Sequence, residues 1–458
     1  MTTPEITPDL LLKYDRPGPR YTSYPTVPEW RNTFNDEAYK KALVQASQHH
    51  DSPLSLYVHI PFCAQRCAYC GCNTITAPIE AQVNRYLDDV EQEIASVSAR
   101  LGKRKTVSQC HWGGGTPTFL DEPRMRRLFA MLSRYFDFAD NAEIALETNP
   151  VTVTTKQLKV LRELGFNRIS FGVQDLNPEV QHVVGRYQTA AQTESLVNLC
   201  RNLGFTGINV DLIYGLPLQT MDRWQETISS IIHIAPDRIA MYSYAHLPAR
   251  FDHQKVLDLF KRPDTREKYA LFADARKRLL AAGYRPIGMD HFALPGDELS
   301  LALDNHSLNR NFMGYTVRQA PDQIGFGVSA ISEVADCYSQ NTKELEVYHE
   351  QLQQGLFPVE RGISLSKDDQ IRRWVIRRLM CSFKLDLDAL RRLFDIDGAV
   401  YFTAEREALA AYEEEGMIQI QDACWQVTAT GAPFIRNLCM VFDAYLKTDA
   451  KTLFSRTI

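Results

Sequence analysis

From about residue 54 to residue 292 the chain alternates short runs of β-branched and apolar residues with longer runs whose apolar positions recur at helical spacing. The strand-like runs are Leu54–Ile60, 107–112, 143–147, 168–173, 207–213, Arg238–Ser243 and 285–290. Between them lie helical runs at 84–99, 123–136, 155–164, 193–203, Met221–Ile234 and 265–282. Strands separated by helices of this length imply parallel βαβ units with right-handed crossovers. About six such units in succession predict an α/β fold, a partial (β/α)6-type barrel rather than an open sheet.

After residue 292 the alternation stops. Residues 295–334 are irregular and punctuated by glycine, and from 366 onward helical periodicity returns at 367–382, 387–394 and 401–415. A short hairpin, 417–420 with 425–427, and a last helix over 431–447 complete a small, mainly helical, winged-helix-like domain. The expected domains are an N-terminal arm (1–50), the barrel (51–295), a connecting segment contributing to the active site (296–365) and the helical C-terminal domain (366–458).

The unusual residues cluster along one predicted edge. Gly113-Gly114-Gly115-Thr116-Pro117, Glu147-Thr148-Asn149-Pro150, Gln174-Asp175, Asp211 and Asp290-His291 all fall at or near the C-terminal end of a strand run. Barrel enzymes build their sites on that rim, because loops from several strands converge there. Each group alone reads equally well as a turn or a cap.

Composition narrows the chemistry. With 45% hydrophobic and 23% charged residues the chain is globular, and its formal net charge of −5 argues against a nucleic-acid partner. Arginine clusters such as Arg124-Arg126-Arg127 read as solvated helix faces. No apolar run reaches the ~20 residues of a membrane span, and the N-terminus lacks the basic-then-apolar order of a secretory signal. A cytoplasmic protein with reduced thiols is expected, so clustered cysteines point to metal binding or catalysis rather than to disulfides.

Four of the ten cysteines, Cys63, Cys67, Cys70 and Cys72, lie within ten residues directly after the first strand run. Structural zinc sites usually divide their ligands into two well-separated pairs, which this spacing does not do. Three thiolates can instead hold three irons of a [4Fe–4S] cluster and leave one iron open. Cys110, Cys200, Cys337, Cys381, Cys424 and Cys439 are scattered singly and read as small core residues.

The C-x3-C-x2-C spacing, with an aromatic residue before the third cysteine, resembles the signature of the radical S-adenosylmethionine (SAM) superfamily. The segments 20–26 (RYTSYPT), 57–63 (YVHIPFC), 111–118 (HWGGGTPT), 288–293 (GMDHFA), 310–316 (RNFMGYT) and 454–458 (FSRTI) narrow the resemblance to oxygen-independent coproporphyrinogen III oxidases over nearly the whole chain. That resemblance implies one [4Fe–4S] cluster on Cys63, Cys67 and Cys70. It implies SAM contacts from Tyr57, Tyr69, Gly114, Gly115, Thr116 and Glu147, with Gln174, Arg186, Asp211, Ala245 and Ile331 completing a region that takes two SAM molecules. Cys72 is implied to serve activity without ligating the cluster. Two positions depart from the family pattern: Tyr69 stands where phenylalanine is common, and 147–150 (ETNP) replaces a more acidic Glu-x-Asp-Pro.

The implied reaction is oxidative decarboxylation of two propionates of coproporphyrinogen III to vinyl groups, initiated by a 5′-deoxyadenosyl radical, with an electron donor and a final acceptor of unspecified identity. A tetracarboxylate substrate calls for arginines, and Arg20 and Arg310, each in a family-like segment, are the expected ones. The chain is expected to act as a monomer, with neither nucleic acid nor membrane as partner. Rival readings are a haem-binding or haem-transferring relative, a radical SAM methyltransferase acting on haem, and a zinc-stabilised winged-helix DNA-binding protein. Cys72 and the segment 20–26 favour the oxidase over the haem-handling relatives.

Overall fold

The computed structural model describes residues 8–446, 454, 456 and 457, which leaves Lys447, Ser455 and Ile458 of the expected last helix and tail outside the described residues. The chain forms two compact units. The first comprises Trp30–Pro263 and Arg318–Ser364; the second comprises the described parts of Met1–Glu29, Asp264–Val317 and Leu365–Ile458.

The first unit is built on parallel strands laid side by side in chain order: Leu54–Ile60, Thr106–Gly114, Asp137–Thr148, Arg168–Gln174, Gly207–Tyr214 and Arg238–Ser243. Leu54–Ile60 is buried almost throughout, whereas Arg168–Gln174 and Gly207–Tyr214 alternate buried with half-buried positions. Helices Glu80–Leu101, Glu122–Tyr135, Thr155–Glu163, Ala190–Leu203 and Met221–Ile234 fill the crossovers. Local chemistry sets their ends. Thr154 with Gln157, and Thr189 with Gln192, form reciprocal capping boxes. Gly204 closes the helix Ala190–Leu203 in a left-handed conformation (φ 88°).

The expected βα alternation is therefore present through the sixth strand, and the domain boundaries are corrected beyond it. The helical run 265–282 forms helix Thr265–Ala281, and the run 285–290 forms strand Arg285–Gly288, but both belong to the second unit. The arm expected at 1–50 is divided. Helix Asp36–Ala46 belongs to the first unit, whereas residues up to Glu29 belong to the second.

The segment expected to be irregular extends the sheet instead. Strand Asp322–Phe326 runs parallel to Leu54–Ile60, and Ile331–Val334, Cys337–Asn341 and Val359–Ser364 continue antiparallel from it. These strands carry buried polar residues, among them Gln323, Ser332, Glu333, Ser339, Gln340 and Asn341, so hydrophobic alternation could not reveal them. Some of these polar groups are held by distant partners. Glu93, on the first helix, accepts from the Tyr348 hydroxyl (2.6 Å), the Gly327 amide (2.8 Å) and Asn341 Nδ2 (2.6 Å). Burial raises its carboxyl to about 7 against those hydrogen bonds. At the opposite end of the sheet the fully buried Arg104 pairs with Asp322 and donates to the Ala46 and Ser52 carbonyls at 2.9 Å, tying the start of the first strand to its neighbour.

The second unit has its own apolar core, in which Leu11, Tyr14, Tyr21 and Tyr24 pack with Val375, Leu379, Leu409, Trp425 and Leu438. Helices Lys367–Ser382, Leu387–Phe394 and Thr403–Glu414 accompany a three-stranded antiparallel sheet ordered Lys384–Asp386, Cys424–Val427, Ile418–Gln421, which agrees with the expected winged-helix-like domain. Cys110, Cys200, Cys381 and Cys439 are buried as expected, but Cys337 and Cys424 are only half-buried.

Candidate active site

The cysteine segment is shaped by backbone pairing at its two ends. Phe62–Cys63 pairs in parallel with Ile75–Thr76, so the residues between them form a loop. Within it the Cys70 amide donates to the Cys67 carbonyl (3.1 Å), and the Ala68 amide donates to the Val184 carbonyl (3.1 Å). Arg66 caps the Thr74 carbonyl at 2.6 Å. Two residues beyond the sixth strand clamp the loop from outside. His253 Nε2 lies 2.7 Å from the Cys70 carbonyl, and Gln254 Nε2 donates to the Tyr69 carbonyl at 3.1 Å.

The glycine run lets two stretches of the chain approach closely. The strands pair His59 with Gly113 and Ile60 with Gly114. A Cβ on Gly114 (φ 111°) would stand 2.5 Å from the His59 ring, and one on Gly115 would stand 2.7 Å from Pro61 backbone atoms. Only glycine lets the residues leading into the cysteine loop lie against the end of the second strand. The Gly115 and Thr116 amides then donate to the Ile60 and Phe62 carbonyls, and Thr116 Oγ1 reaches Cys63 Sγ at 3.4 Å.

Around the loop stands a polar set drawn from successive strands. Tyr57 stacks on His111 (centroids 6.0 Å apart), and His111 Nε2 lies 3.3 Å from Glu147 Oε1. The Gly114 amide donates to Glu147 Oε2 at 3.2 Å. Burial opposes ionisation of Glu147, but His111 and that amide hold its carboxyl below the usual range. His59 reaches the Asn73 carbonyl through Nε2 (3.0 Å) and the Tyr57 hydroxyl through Nδ1 (3.2 Å). Burial lowers its pKa, and a carbonyl only accepts, so neutral His59 carries its proton on Nε2 and takes the Tyr57 hydrogen on Nδ1. Asp211 accepts from Ser170 Oγ (2.9 Å) and Asn209 Nδ2 (2.8 Å) on the paired strands. Gln174 holds a left-handed backbone (φ 67°) at the end of its strand, and a Cβ on Gly172 would stand 2.9–3.0 Å from both Gln174 Nε2 and Arg186 Nη2.

These observations bear on whether the residues fit a cluster with SAM. Cys63, Cys67 and Cys70 lie within mutual electrostatic range, and Arg186 lies near all three. Cys72 hydrogen-bonds Cys70 through its side chain and its amide (3.4 Å to Sγ), and with Arg186 and Arg66 this lowers the Cys70 thiol to about 6 despite burial. A thiolate is the form that binds iron. Arg186 Nε donates to the Tyr69 hydroxyl (3.2 Å), while its buried Nη1 has no partner among the described residues. A guanidinium with a buried, open donor suits a carboxylate. Among the described residues no group of three or more metal-ligating side chains converges on a single ion. The donor set fits the cluster and SAM.

Other expected site residues divide between the units. Ala245 lies just past the sixth strand, and Ile331 opens its strand, both in the first unit. Asp290-His291, expected on the same rim, belongs to the second unit, as do Arg20 and Arg310. Arg20 pairs with Asp290. Arg310 is buried, and its Nη1 donates to the Arg20 (3.1 Å) and Tyr21 (2.7 Å) carbonyls. Arg310 Nη1 is thus taken up by the backbone of residues 20 and 21, while its buried Nε has no partner among the described residues. Sequence reasoning passed over His253 and Gln254, since two polar residues in an aperiodic stretch carry no signal of their own.

Comparison with known proteins adds independent findings. Residues 57–231 match the family model of the radical SAM superfamily, and residues 365–434 match that of the HemN C-terminal domain. The chain is 43% identical to oxygen-independent coproporphyrinogen III oxidase of Escherichia coli (strain K12), with 100% of both chains covered. It is 41% identical to the protein of that name from Synechocystis sp., covering 100% of this chain and 99% of the relative. The solved coproporphyrinogen III oxidase (HemN) of Escherichia coli, described as a radical SAM enzyme, superposes with a TM-score of 0.89 at 42% identity, covering 93% of this chain and 98% of that one.

Proposed function

We infer the reaction of this chain from the family to which it belongs, the oxygen-independent coproporphyrinogen III oxidases of the radical SAM superfamily. It is an oxidoreductase of haem biosynthesis that uses a [4Fe–4S] cluster and SAM and takes coproporphyrinogen III as substrate. The reaction is oxidative decarboxylation of two propionates to vinyl groups, giving protoporphyrinogen IX. The observation that carries this reading is the loop holding Cys63, Cys67 and Cys70 beside a half-buried arginine whose Nη1 is buried without a partner among the described residues. The haem-handling alternative is not favoured, because the full-length relatives carry the oxidase name.

In this reading Cys63, Cys67 and Cys70 hold the cluster as thiolates, and Cys72 stays free to act on the substrate side. When bound, the cluster and SAM supply the one-electron radical chemistry that protein side chains lack. The chain's own residues bind and orient. Glu147, kept ionised by His111 and the Gly114 amide, accepts from an ammonium group. Arg186 Nη1 takes a carboxylate. Gln174 and Asp211 receive ribose hydroxyls, and Ala245 and Ile331 line the region for a second SAM molecule. No helix among the described residues is long and apolar enough to cross a membrane; a reducing cytoplasm suits the free thiols.

The experiment is anaerobic turnover with reduced, reconstituted protein, SAM and coproporphyrinogen III, following 5′-deoxyadenosine and protoporphyrin together. Both products are expected. Deoxyadenosine alone would move the substrate toward the haem-handling relatives, and neither product from cluster-loaded protein would overturn the reading.

A further inference from the structure

Coproporphyrinogen III presents four propionates, of which one reacts at a time. The others are anions that need cations wherever they leave water. The two arginines expected for that task lie in the second unit, one paired with Asp290 and the other donating to backbone. A different set of cations stands beside the cysteine loop in the first unit.

Asn73, next to Cys72, donates through Nδ2 to the Lys343 carbonyl at 3.2 Å. Gly71 faces the Phe251 ring, 3.5 Å from where its Cβ would be, and the Arg250 guanidinium lies over that ring at 5.4 Å. Burial lowers the Lys343 pKa, and Arg361 and Arg250 lower it further against the single nearby carboxylate, Glu360. Arg250 and Arg361 thus stand within electrostatic range of Lys343, near the turn that carries Cys70 and Cys72, with Glu360 the opposing carboxylate at Lys343. Among the described residues Lys343 Nζ and the Arg250 guanidinium have no hydrogen-bond or ion-pair partner, and the Arg361 guanidinium has only the amide oxygen Gln340 Oε1 (2.9 and 2.6 Å).

Strand register places Arg361 on the working face of the sheet. His111 pairs with Tyr57, and Tyr57 with Gly325. The pairing of Gln323 with Glu333 sets Gly325 beside Ile331, whose carbonyl lies 2.5 Å from where a Gly325 Cβ would be. Ile331 pairs with Gln340, and Gln340 with Arg361. Cross-strand partners share a face, so the row runs from His111, which holds Glu147, to Arg361.

We propose that Arg250, Lys343 and Arg361 form a carboxylate-binding station for the non-reacting propionates of the substrate. The assignment rests on the reading of the reaction given above, and it deepens that reading by naming residues that discriminate a tetracarboxylate from a neutral macrocycle. The cations are complementary to the substrate in charge, and they flank the loop at which the reaction is initiated.

The test uses full-length, cluster-loaded protein with Lys343→Met, Arg250→Gln and the double substitution; neither side chain makes a hydrogen bond whose loss would disturb the fold. Fluorescence titration with coproporphyrin III, the oxidised and unreactive tetracarboxylate, reports binding directly. Turnover of coproporphyrinogen III with dithionite as reductant reports KM and kcat separately. Each single variant is expected to weaken binding and raise KM about tenfold, and the double variant more, as for loss of a charge-assisted hydrogen bond. Lys343→Arg is expected to restore both, and cluster absorbance per chain to match wild type throughout. Unchanged affinity and KM in the double variant would overturn the station. So would a defect seen only with a protein reductant, which would make the patch a docking surface for an acidic electron donor. Wild-type protein that cleaves SAM but neither binds coproporphyrin III nor turns over coproporphyrinogen III would overturn the reading of the reaction itself.

Discussion

The cysteine loop and the 20–26 segment are both irregular, both carry family motifs, and each lies against an arginine, half-buried in the first case and buried in the second, yet their polar groups end differently. In the second unit Arg310 donates to two carbonyls of that segment and lies over the Tyr315 ring at 5.5 Å, and Arg436 donates to the Pro19 carbonyl at 3.0 Å. Arg310 Nε, like Arg186 Nη1, is buried with no partner among the described residues. In the first unit Arg186 touches one phenol and lies among thiols with Nη1 open. What differs is that Arg310 Nη1 is taken up by two backbone carbonyls, whereas Arg186 makes a single hydrogen bond to the chain among the described residues. Residue type and motif membership do not separate the two, but the partners of each nitrogen do.

The largest expected effect breaks the loop side of the comparison. Cys63→Ser, Cys67→Ser and Cys70→Ser should each lose iron and turnover to background, whereas Cys72→Ser should keep its visible cluster absorbance and lose protoporphyrin formation. Iron and sulfide analysis beside the turnover assay separates the two classes. A full cluster in any triad variant would remove that cysteine from the ligand set. Next in size is Arg186→Gln. Loss of a charge-assisted bond to a carboxylate predicts a rise of about 10- to 30-fold in KM for SAM, with little change in thermal stability, because the guanidinium supports only the Tyr69 hydroxyl.

The same contrast shows what could be read from the chain. The parallel strands were legible because their runs are rich in β-branched and apolar residues and are separated by helical runs, and Leu54–Ile60 and Arg238–Ser243 have the expected limits. The cysteine loop was legible because its chemistry resides in spacing. The strands at 322–364 were not, because Gln323, Glu333, Gln340 and Asn341 are polar yet buried, and the partners that hold such groups can be as distant as Glu93, which accepts from Asn341. Nor could a sequence show that Arg310 donates to backbone, or that Arg361 lies within electrostatic range of Lys343. Those facts arise from pairings between residues far apart in the chain.

On the other side of the comparison, Arg310→Met should cost about 3 kcal/mol of stability by removing the donors to the Arg20 and Tyr21 carbonyls. A lowered thermal unfolding midpoint with KM for coproporphyrinogen III near wild type is the expected pair of results. A raised KM at unaltered stability would return Arg310 to the substrate.

The smallest expected effect concerns Arg20 and carries a pH signature. Asp290 is buried, which alone would raise its carboxyl, but the Arg20 cation and the hydrogen bond with His291 (2.9 Å) hold it well below the ordinary carboxylate range. In the unfolded chain the same group titrates near 4. Above that pH it is ionised in both states, and the pairing contributes its full stabilisation. As pH falls below about 4 the unfolded chain takes up the proton first, so the contribution is lost progressively through the acid range. Arg20→Gln removes the counter-charge and leaves Asp290 buried with His291 alone, a cost of about 2 kcal/mol near neutrality for a partly exposed cation. The gap in unfolding midpoint between wild type and variant, measured on the cluster-free chain, should therefore be constant from about pH 8 to 5 and narrow below pH 4. A gap that stays constant into the acid range would show that Arg20 stabilises the segment by some contact other than Asp290. A KM for coproporphyrinogen III that rises in this variant, at a pH where the stability gap is flat, would mean that Arg20 meets the substrate as well as the aspartate.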